Sequence, residues 1–124
     1  MTKNVLILGA SSDIGLNLTE KFLINNYKVY AHYNKQNKNL KNLNKKFKTL
    51  KIFKLNLLNS SIVRKNLKNN FFSKFDIFVN LVGYTDNVSF EKFNEKNLIN
   101  NLRVNFINPQ LIMKKCIKNM IKKK

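Results

Sequence analysis

The chain has 124 residues, a length that suits one domain of residues 1–124 and is small for an enzyme built from alternating strands and helices. No apolar stretch approaches the roughly 20 residues of a membrane-spanning helix, and no signal-peptide pattern precedes the first apolar run, so we expect a cytoplasmic protein. The formal net charge of +18 rests almost wholly on lysines scattered along the chain, which favours weak attraction to polyanions over a specific nucleic-acid site.

An unbroken apolar run over residues 5–8 opens the chain and predicts a strand buried on both faces, as in a parallel sheet. The run ends at Gly9 in a loop of small residues, and an apolar helical face begins at Ile14. This order of strand, loop and helix suits a dinucleotide, because free N–H groups and the helix dipole at a helix N-terminus favour a pyrophosphate. Gly9 would make the sharp exit from the strand, and Gly15 would let the helix pack close to the sheet.

The rest of the sequence alternates strands with helices. Further strands are predicted over 28–33, 50–57 and 75–82. Helices are predicted over 14–26, 40–47, 62–71 and 95–122. The helix over 62–71 would follow a cap at 59–61 and would turn Ile62, Val63, Leu67 and Phe71 inward. Strands that alternate with helices require a parallel sheet with right-handed crossovers and helices on both faces. We therefore predict an α/β fold, a partial Rossmann-type doubly wound parallel sheet with strand order 3-2-1-4 in three α/β/α layers.

Pro109 interrupts the long last helix. Proline has no N–H to donate to the carbonyl of Asn105, so we expect that carbonyl to be free and the helix to kink. The same helix carries the only cysteine, Cys116, which excludes an internal disulfide and fits a reducing compartment. No activating partner is evident near Cys116, which predicts a buried and inert thiol.

Four motifs follow one another at consistent spacing: Gly9-Ala10-Ser11-Ser12-Asp13-Ile14-Gly15, Asn56-Leu57, Asn80-Leu81-Val82-Gly83 and Arg103-Val104-Asn105-Phe106. Together they resemble the classical short-chain dehydrogenase/reductase family, over its N-terminal cofactor-binding half. The first is similar to the TGxxxGIG loop, with Leu8 for the threonine and Asp13 for the middle glycine. The third matches NNAG in its first and last residues. One glycine motif alone would be weak, whereas four in order are specific.

The resemblance implies one catalytic position and a set of cofactor-binding residues. In the family the main-chain carbonyl of the asparagine at Asn105 holds a water in a proton relay; alternatively Pro109 only curves the helix over the sheet. No metal site is predicted. The implied cofactor-binding residues are Gly9, Ser11, Ser12, Asp13, Ile14, Gly15, Asn34, Lys35, Asn56, Leu57, Asn80 and Gly83.

Two of these positions depart from the family pattern. Asp13 would place a carboxylate near the pyrophosphate unless its side chain turns outward, or it simply starts the helix as an N-cap. Asn56 stands where the family has an aspartate that contacts adenine. An asparagine keeps an acceptor oxygen there and adds a donor, so a contact with the adenine amino group survives.

The end of the second strand bears on the choice of cofactor. An NAD-specific site has an acidic residue there, which holds the ribose diol and repels a 2′-phosphate. This chain has Tyr33-Asn34-Lys35 instead. We therefore favour NADP(H) over NAD(H), with Lys35 as the phosphate partner and Ser12 also within possible reach. The alternative is that Lys35 is one more solvated lysine.

The family's catalytic serine and Tyr-x-x-x-Lys pair are not found in the sequence. None of Tyr27, Tyr30, Tyr33 and Tyr84 has a lysine four residues later. The resemblance therefore implies the cofactor-binding half of an NAD(P)-dependent oxidoreductase that is inactive alone. Such a half would meet a small carbonyl or alcohol substrate only with a C-terminal half.

Such a half would also expose the edge of the fourth strand and apolar residues of the last helix, through which we expect it to associate. The apolar positions on that helix are Leu98, Leu102, Phe106, Met113, Ile117 and Met120. Two alternative functions are a non-catalytic dinucleotide-binding module or sensor and, with less support, a basic nucleic-acid-associated protein.

Overall fold

The computed structural model describes the whole chain, from Met1 to Lys124. Its strands are β1 (Asn4–Leu8), β2 (Lys28–Tyr33), β3 (Leu50–Lys54) and β4 (Ile77–Asn80). All neighbouring strands are parallel, and they lie in the order β3-β2-β1-β4. The predicted α/β fold and strand order are therefore confirmed, and β4 lies at one edge of the sheet as expected.

Helices cover both faces of this sheet. They are α1 (Asp13–Ile24), α2 (Lys38–Lys46), α3 (Ser60–Leu67), α4 (Glu95–Leu102) and α5 (Asn108–Lys122), with short 3-10 turns at Phe71–Ser73 and Phe90–Lys92. Asn59 caps α3 by accepting a hydrogen bond from the Ile62 N–H. None of the helices is both long and apolar enough to span a membrane.

The alternation of side chains along β1 divides the core in two. Val5 and Ile7 pack on one face with Leu23 of α1 and with Leu40 and Leu43 of α2. Leu6 and Leu8 pack on the other face, in a cluster that includes Val63, Phe72, Phe75, Ile112 and Cys116. Since both sides of β1 are fully covered, its sequence is apolar throughout, as is typical of central parallel strands.

The predicted inward faces of two helices are wrong at their first positions. Ile14 is 71% exposed, and the buried line of α1 runs through Gly15, Thr19 and Leu23. Gly15 sets this rotation because it is the point where the helix touches the preceding loop. Ile62 is likewise exposed, and Val63 is the residue of α3 that is buried.

The segment after α3 also differs from the prediction. The helix ends at Leu67, and Phe71 lies beyond it in a separate turn. There the Phe71 ring packs edge-on against Tyr30 and Phe75, with ring centroids 5.8 and 5.5 Å apart. Edge-on contacts are a favoured arrangement of aromatic rings, and they hold the turn against the sheet.

The last predicted helix is divided where Pro109 predicts a disturbance. A π-helical turn, Arg103–Ile107, separates α4 from α5, and the Asn108 N–H donates to the carbonyl of Arg103. Pro109 has no N–H to donate to the preceding turn, and the wider π-helical turn lies where that hydrogen bond is missing. Burial raises the pKa of the Cys116 thiol to about 12, which agrees with an inert side chain.

The outer face of this helical segment is apolar and exposed. The residues on it with more than a third of their surface exposed are Leu98, Ile99, Leu102, Phe106, Ile107, Met113, Ile117 and Ile121. The inner face is formed instead by Val104, Asn108, Ile112 and Cys116. The apolar residues of this segment therefore form an exposed surface on one side of the helices as well as a buried face on the other.

Candidate functional site

A cleft of about 190 Å³ opens where the carboxyl ends of the strands meet. This is the crevice in which open α/β sheets bind their ligands. Of the predicted site residues, those that line it are Gly9, Ser11, Asn34, Asn56, Leu57 and Gly83. The lining residues that the sequence did not predict as cofactor contacts are Leu81, Val82 and Val104, which belong to two of the motifs, and His32, Leu55, Leu58 and Tyr84.

Two glycines shape the loop between β1 and α1. Gly9 has a φ of +76°, and a Cβ there would lie 2.9 Å from the backbone of Leu81. A Cβ on Gly15 would lie 2.5 Å from the Gly9 carbonyl oxygen. Neither position therefore has room for a side chain, and the helix begins in direct contact with the loop.

Ser12, and not Asp13, is the N-cap of α1. Its Oγ accepts a hydrogen bond from the Gly15 N–H and donates one to the Gly9 carbonyl, each 3.0 Å long. Asp13 is the first helical residue and is exposed, where a carboxylate is favoured by the helix dipole. Because the Ser12 hydroxyl proton is already used inside the loop, donation to a phosphate would cost Ser12 this contact.

Three backbone N–H groups of the loop and first helical turn have no partner. Gly9, Ala10, Ser12 and Gly15 donate within the protein. The N–H groups of Ser11, Asp13 and Ile14 form none of the hydrogen bonds in the structure. Unpaired N–H groups at the N-terminus of a helix form an anion-binding site.

The asparagines at the strand ends shape the cleft through their own backbone. The Asn56 side-chain oxygen accepts from the Leu58 N–H at 3.0 Å, and that of Asn80 accepts from the Val82 N–H at 3.2 Å. Asn56 lines the cleft, so its amide nitrogen remains available to a ligand, whereas Asn80 does not line it. Lys35 follows the cleft residue Asn34 and is itself exposed and outside the lining.

Asn105 lies next to the cleft and holds one of its walls. Its side chain bonds both backbone groups of Tyr84. The Tyr84 hydroxyl donates to Asp86, which raises the pKa of the tyrosine. Asp86 also accepts from the Asn97 amide at 3.0 Å, and these two donors lower the pKa of its carboxyl. The wall is thus a hydrogen-bonded network between the loop after β4 and the helix that follows.

Comparison with known protein families decides the assignment. The family model described as short chain dehydrogenase matches residues 3–124. The chain belongs to the short chain dehydrogenase family. A comparison with curated proteins found no match.

Several solved structures share this fold. An alcohol dehydrogenase from Comamonas testosteroni, specific for bulky-bulky ketones, aligns with a TM-score of 0.82 at 17% identity over 98% of this chain and 51% of that one. An NADPH-bound carbonyl reductase from chicken fatty liver aligns at 0.77 and 21% identity over 98% and 49%. ElxO with NADP bound aligns at 0.76 and 24% identity over 98% and 52%. The chain therefore spans about half the length of these solved structures.

The cleft of this short chain dehydrogenase chain fits part of a dinucleotide. The loop offers three free N–H groups where a pyrophosphate would be held, and no carboxylate lines the cleft. Its volume is below the roughly 300–1,000 Å³ of complete ligand pockets. The residues present thus suit the phosphate and adenosine end of such a cofactor. Its nicotinamide end would lie outside this cleft.

Proposed function

We propose that the chain binds a nicotinamide dinucleotide, NADP(H) in preference to NAD(H), as the cofactor-binding half of a short-chain oxidoreductase. The observation that carries this proposal is the set of unpaired N–H groups at Ser11, Asp13 and Ile14. Ser11 lines the cleft, and Asp13 and Ile14 follow at the start of α1, which Gly9 and Gly15 hold close to the loop because neither admits a side chain. An anion placed there satisfies otherwise free donors and meets the positive end of the α1 dipole.

The adenosine end would lie toward the ends of β2 and β3. Asn56 lines the cleft and its amide nitrogen forms no hydrogen bond, and Leu57 and Leu58 add apolar surface. Asn34, the first residue after β2, lines the same cleft, and in this proposal the ribose lies beside it. This arrangement supports a base held between apolar side chains and one amide.

Preference for NADP(H) is supported by charge. The single ion pair of the structure joins Lys123 to Asp76, so Lys35 has no carboxylate partner. No acidic residue follows β2 to repel a 2′-phosphate. Two of the similar structures also hold this cofactor, one as NADPH and one as NADP.

The cofactor, when bound, would supply or accept a hydride at its nicotinamide against a carbonyl or alcohol carbon. The chain's own contribution is to orient the cofactor and, through Asn105, to fix the Tyr84 wall of the cleft. The serine and the Tyr-x-x-x-Lys pair of the resemblance would come from a complementary C-terminal half. We therefore propose that these residues alone are catalytically inactive, in a cytoplasmic protein.

Association belongs to the same proposal. The exposed apolar face of α4 and α5 would be covered by the complementary half or by another subunit. Phe106 is 60% exposed on this face. A Phe106→Glu variant is expected to lower the sedimentation coefficient of the associated chain toward that of the monomer, whereas an unchanged coefficient would remove this part of the proposal.

Calorimetric titration with NADP⁺ and NAD⁺ tests the binding proposal. A carboxylate placed in the cleft by Ser11→Asp should weaken binding of both nucleotides about tenfold or more, because it would face the phosphates. Asn17→Asp introduces the same charge on the exposed side of α1 and serves as the matched control. Equal weakening by both variants, or no binding by the unaltered chain, would contradict the proposal.

A further inference from the structure

His32 links the phosphate loop to the end of β3. Its Nδ1 lies 3.1 Å from the Gly9 backbone nitrogen, which donates to it, and its Nε2 lies 2.7 Å from the Leu55 carbonyl oxygen. The backbone carbonyl of His32 also accepts from the Ala10 N–H at 2.9 Å. One residue of β2 therefore holds two successive residues of the loop and one residue of the neighbouring strand end.

These two ring contacts fix the tautomer. A backbone N–H can only donate, so Nδ1 must present its lone pair to Gly9. A carbonyl oxygen can only accept, so Nε2 must carry the proton that is donated to Leu55. Only the neutral imidazole with its proton on Nε2 satisfies both partners. Protonation of Nδ1 would place an N–H against the Gly9 N–H and break that contact.

The surroundings of His32 favour this neutral form. The ring is 3% exposed and lies beside Phe53, with ring centroids 5.7 Å apart. Burial lowers the pKa of His32 below its ordinary value, and the hydrogen bond to Leu55 only partly opposes that shift. The titratable side chains on the elements around it are Lys28, Tyr30 and Tyr33 of β2, Lys51 and Lys54 of β3, Tyr84 in the cleft and Arg103 on the π-helical turn. None of these is a carboxylate, so nothing compensates a charged imidazole.

Gly9 is where this contact reaches the ligand site. The residue has left-handed backbone and lies against the backbone of Leu81, which restricts the orientation of its peptide. Its carbonyl accepts the Ser12 hydroxyl, and Ser12 in turn caps α1. Loss of the bond between His32 and Gly9 therefore loosens the same loop that holds the free N–H groups.

We propose that His32 is a positioning residue that fixes the phosphate loop through Gly9, and that its protonation in mild acid weakens binding of the dinucleotide. This inference rests on the proposed function for its ligand, whereas the link between His32 and Gly9 is testable without any ligand. His32 is the only histidine of the chain. A titration with imidazole character in the protein can therefore be assigned to it directly.

The test compares NADP⁺ affinity at about pH 7.5 and about pH 5 in three proteins. Between the two pH values the unaltered chain is expected to lose about tenfold more affinity than His32→Asn loses. A difference of about tenfold in affinity corresponds to about one hydrogen bond. Asparagine can place its oxygen near the Nδ1 position and accept from Gly9, but it does not titrate. His32→Phe keeps a ring and removes both contacts, so it should bind weakly at both pH values. The titration of the ligand's own phosphate is common to all three proteins and cancels in the comparison.

A ligand-free measurement keeps the inference separate from the proposed function. The ¹⁵N–¹H signal of Gly9 in the unaltered chain should shift with the same midpoint as the His32 ring signals, below the ordinary histidine value. A Gly9 signal that does not follow His32, or an acid dependence of affinity shared by His32→Asn, would overturn the inference. Tighter binding in acid by the unaltered chain alone would overturn it too. A Gly9 signal that follows His32 in a chain that binds no nucleotide would instead reject the proposed function.

Discussion

Asn105 and Tyr84 are joined by two hydrogen bonds across the wall of the cleft. The Tyr84 N–H donates to the Asn105 side-chain oxygen, and the Asn105 amide nitrogen donates to the Tyr84 carbonyl, each at 2.8 Å. The Asn105 side chain thus pairs with both backbone groups of Tyr84, in the loop after β4, as the backbone of a neighbouring strand would. It ties this loop to the π-helical turn that Pro109 follows. The position that the family resemblance identifies as catalytic therefore has a structural task in this chain.

Replacement of Asn105 by alanine should release the loop after β4. Two hydrogen bonds to an exposed segment are worth about 1–2 kcal/mol together, and the Tyr84 amide should exchange with solvent distinctly faster. Hydrogen exchange of Tyr84 and urea unfolding measure the two effects. Asn100→Ala, on the neighbouring half-buried position of α4, is the control. Equal protection of the Tyr84 amide in both variants would show that Asn105 does not hold the loop.

Gly15 and Gly83 should differ sharply in their tolerance of alanine. Gly15→Ala places a Cβ 2.5 Å from the Gly9 carbonyl oxygen, so overpacking should cost about 1–3 kcal/mol in the free energy of unfolding. Nothing lies within 4 Å of a Cβ on Gly83. Gly83→Ala should therefore change stability by only about 0.5 kcal/mol or less. Urea unfolding of both variants decides the matter, and similar losses would be inconsistent with the described packing.

The charge of Lys35 should decide between the two nicotinamide cofactors. Lys35→Glu should weaken NADP⁺ binding about tenfold or more and leave NAD⁺ within about twofold, because only NADP⁺ carries the 2′-phosphate. Lys38→Glu makes the same charge change three residues later, on the exposed first turn of α2. The ratio of the two dissociation constants is the measurement. A ratio that moves equally in both variants would mean that Lys35 contributes only to the general positive field.

Asp76 should contribute stability that disappears in acid. Partial burial alone would raise the pKa of its carboxyl, but hydrogen bonds from Lys123 and from the Asn4 N–H outweigh that effect and hold the pKa below the ordinary value. A carboxyl whose pKa is lowered by folding stabilises the protein above its unfolded pKa of about 3.9 and loses this contribution as the pH falls further.

An Asp76→Asn variant tests this dependence. At about pH 7 it should lower the free energy of unfolding by about 1 kcal/mol, and below about pH 3 the difference from the unaltered chain should shrink. Glu20→Gln, a charge removal on the surface of α1, serves as the control for the change in net charge. A difference that stays constant between the two pH values would exclude a titrating contribution from Asp76.

Much of this architecture could be predicted from local patterns. The apolar run from Val5 to Leu8 is continuous because β1 is covered on both faces, and the small residues from Gly9 to Ser12 match a tight loop with no space for a side chain at Gly9. Pro109 predicted a disturbed helix because it lacks an N–H, a property that does not depend on the fold. Features that follow from backbone chemistry or from complete burial are visible in sequence.

The remaining features depend on tertiary contacts that no periodicity contains. Ile14 is apolar and in register, yet the contact of Gly15 with the loop turns it outward. Leu98 and Phe106 continue a helical apolar stripe that faces out of this chain. His32 gave no sign of its two partners, because they are backbone groups 23 residues away in each direction. A lone histidine inside a buried strand, level with a glycine loop, is the one pattern that could have drawn attention to it.

The most direct test of the account maps the amide signals of ¹⁵N-labelled chain during titration with NADP⁺. We expect the largest shifts at Ser11, Asp13 and Ile14, whose N–H groups have no partner in the free chain, with further shifts at Asn34 and Asn56. Shifts confined to the lysine-rich surface of α2, and abolished by moderate salt, would instead reflect attraction of a polyanion to a basic protein. That result would contradict the assignment of the loop after β1 as the place where the cofactor's phosphates are held.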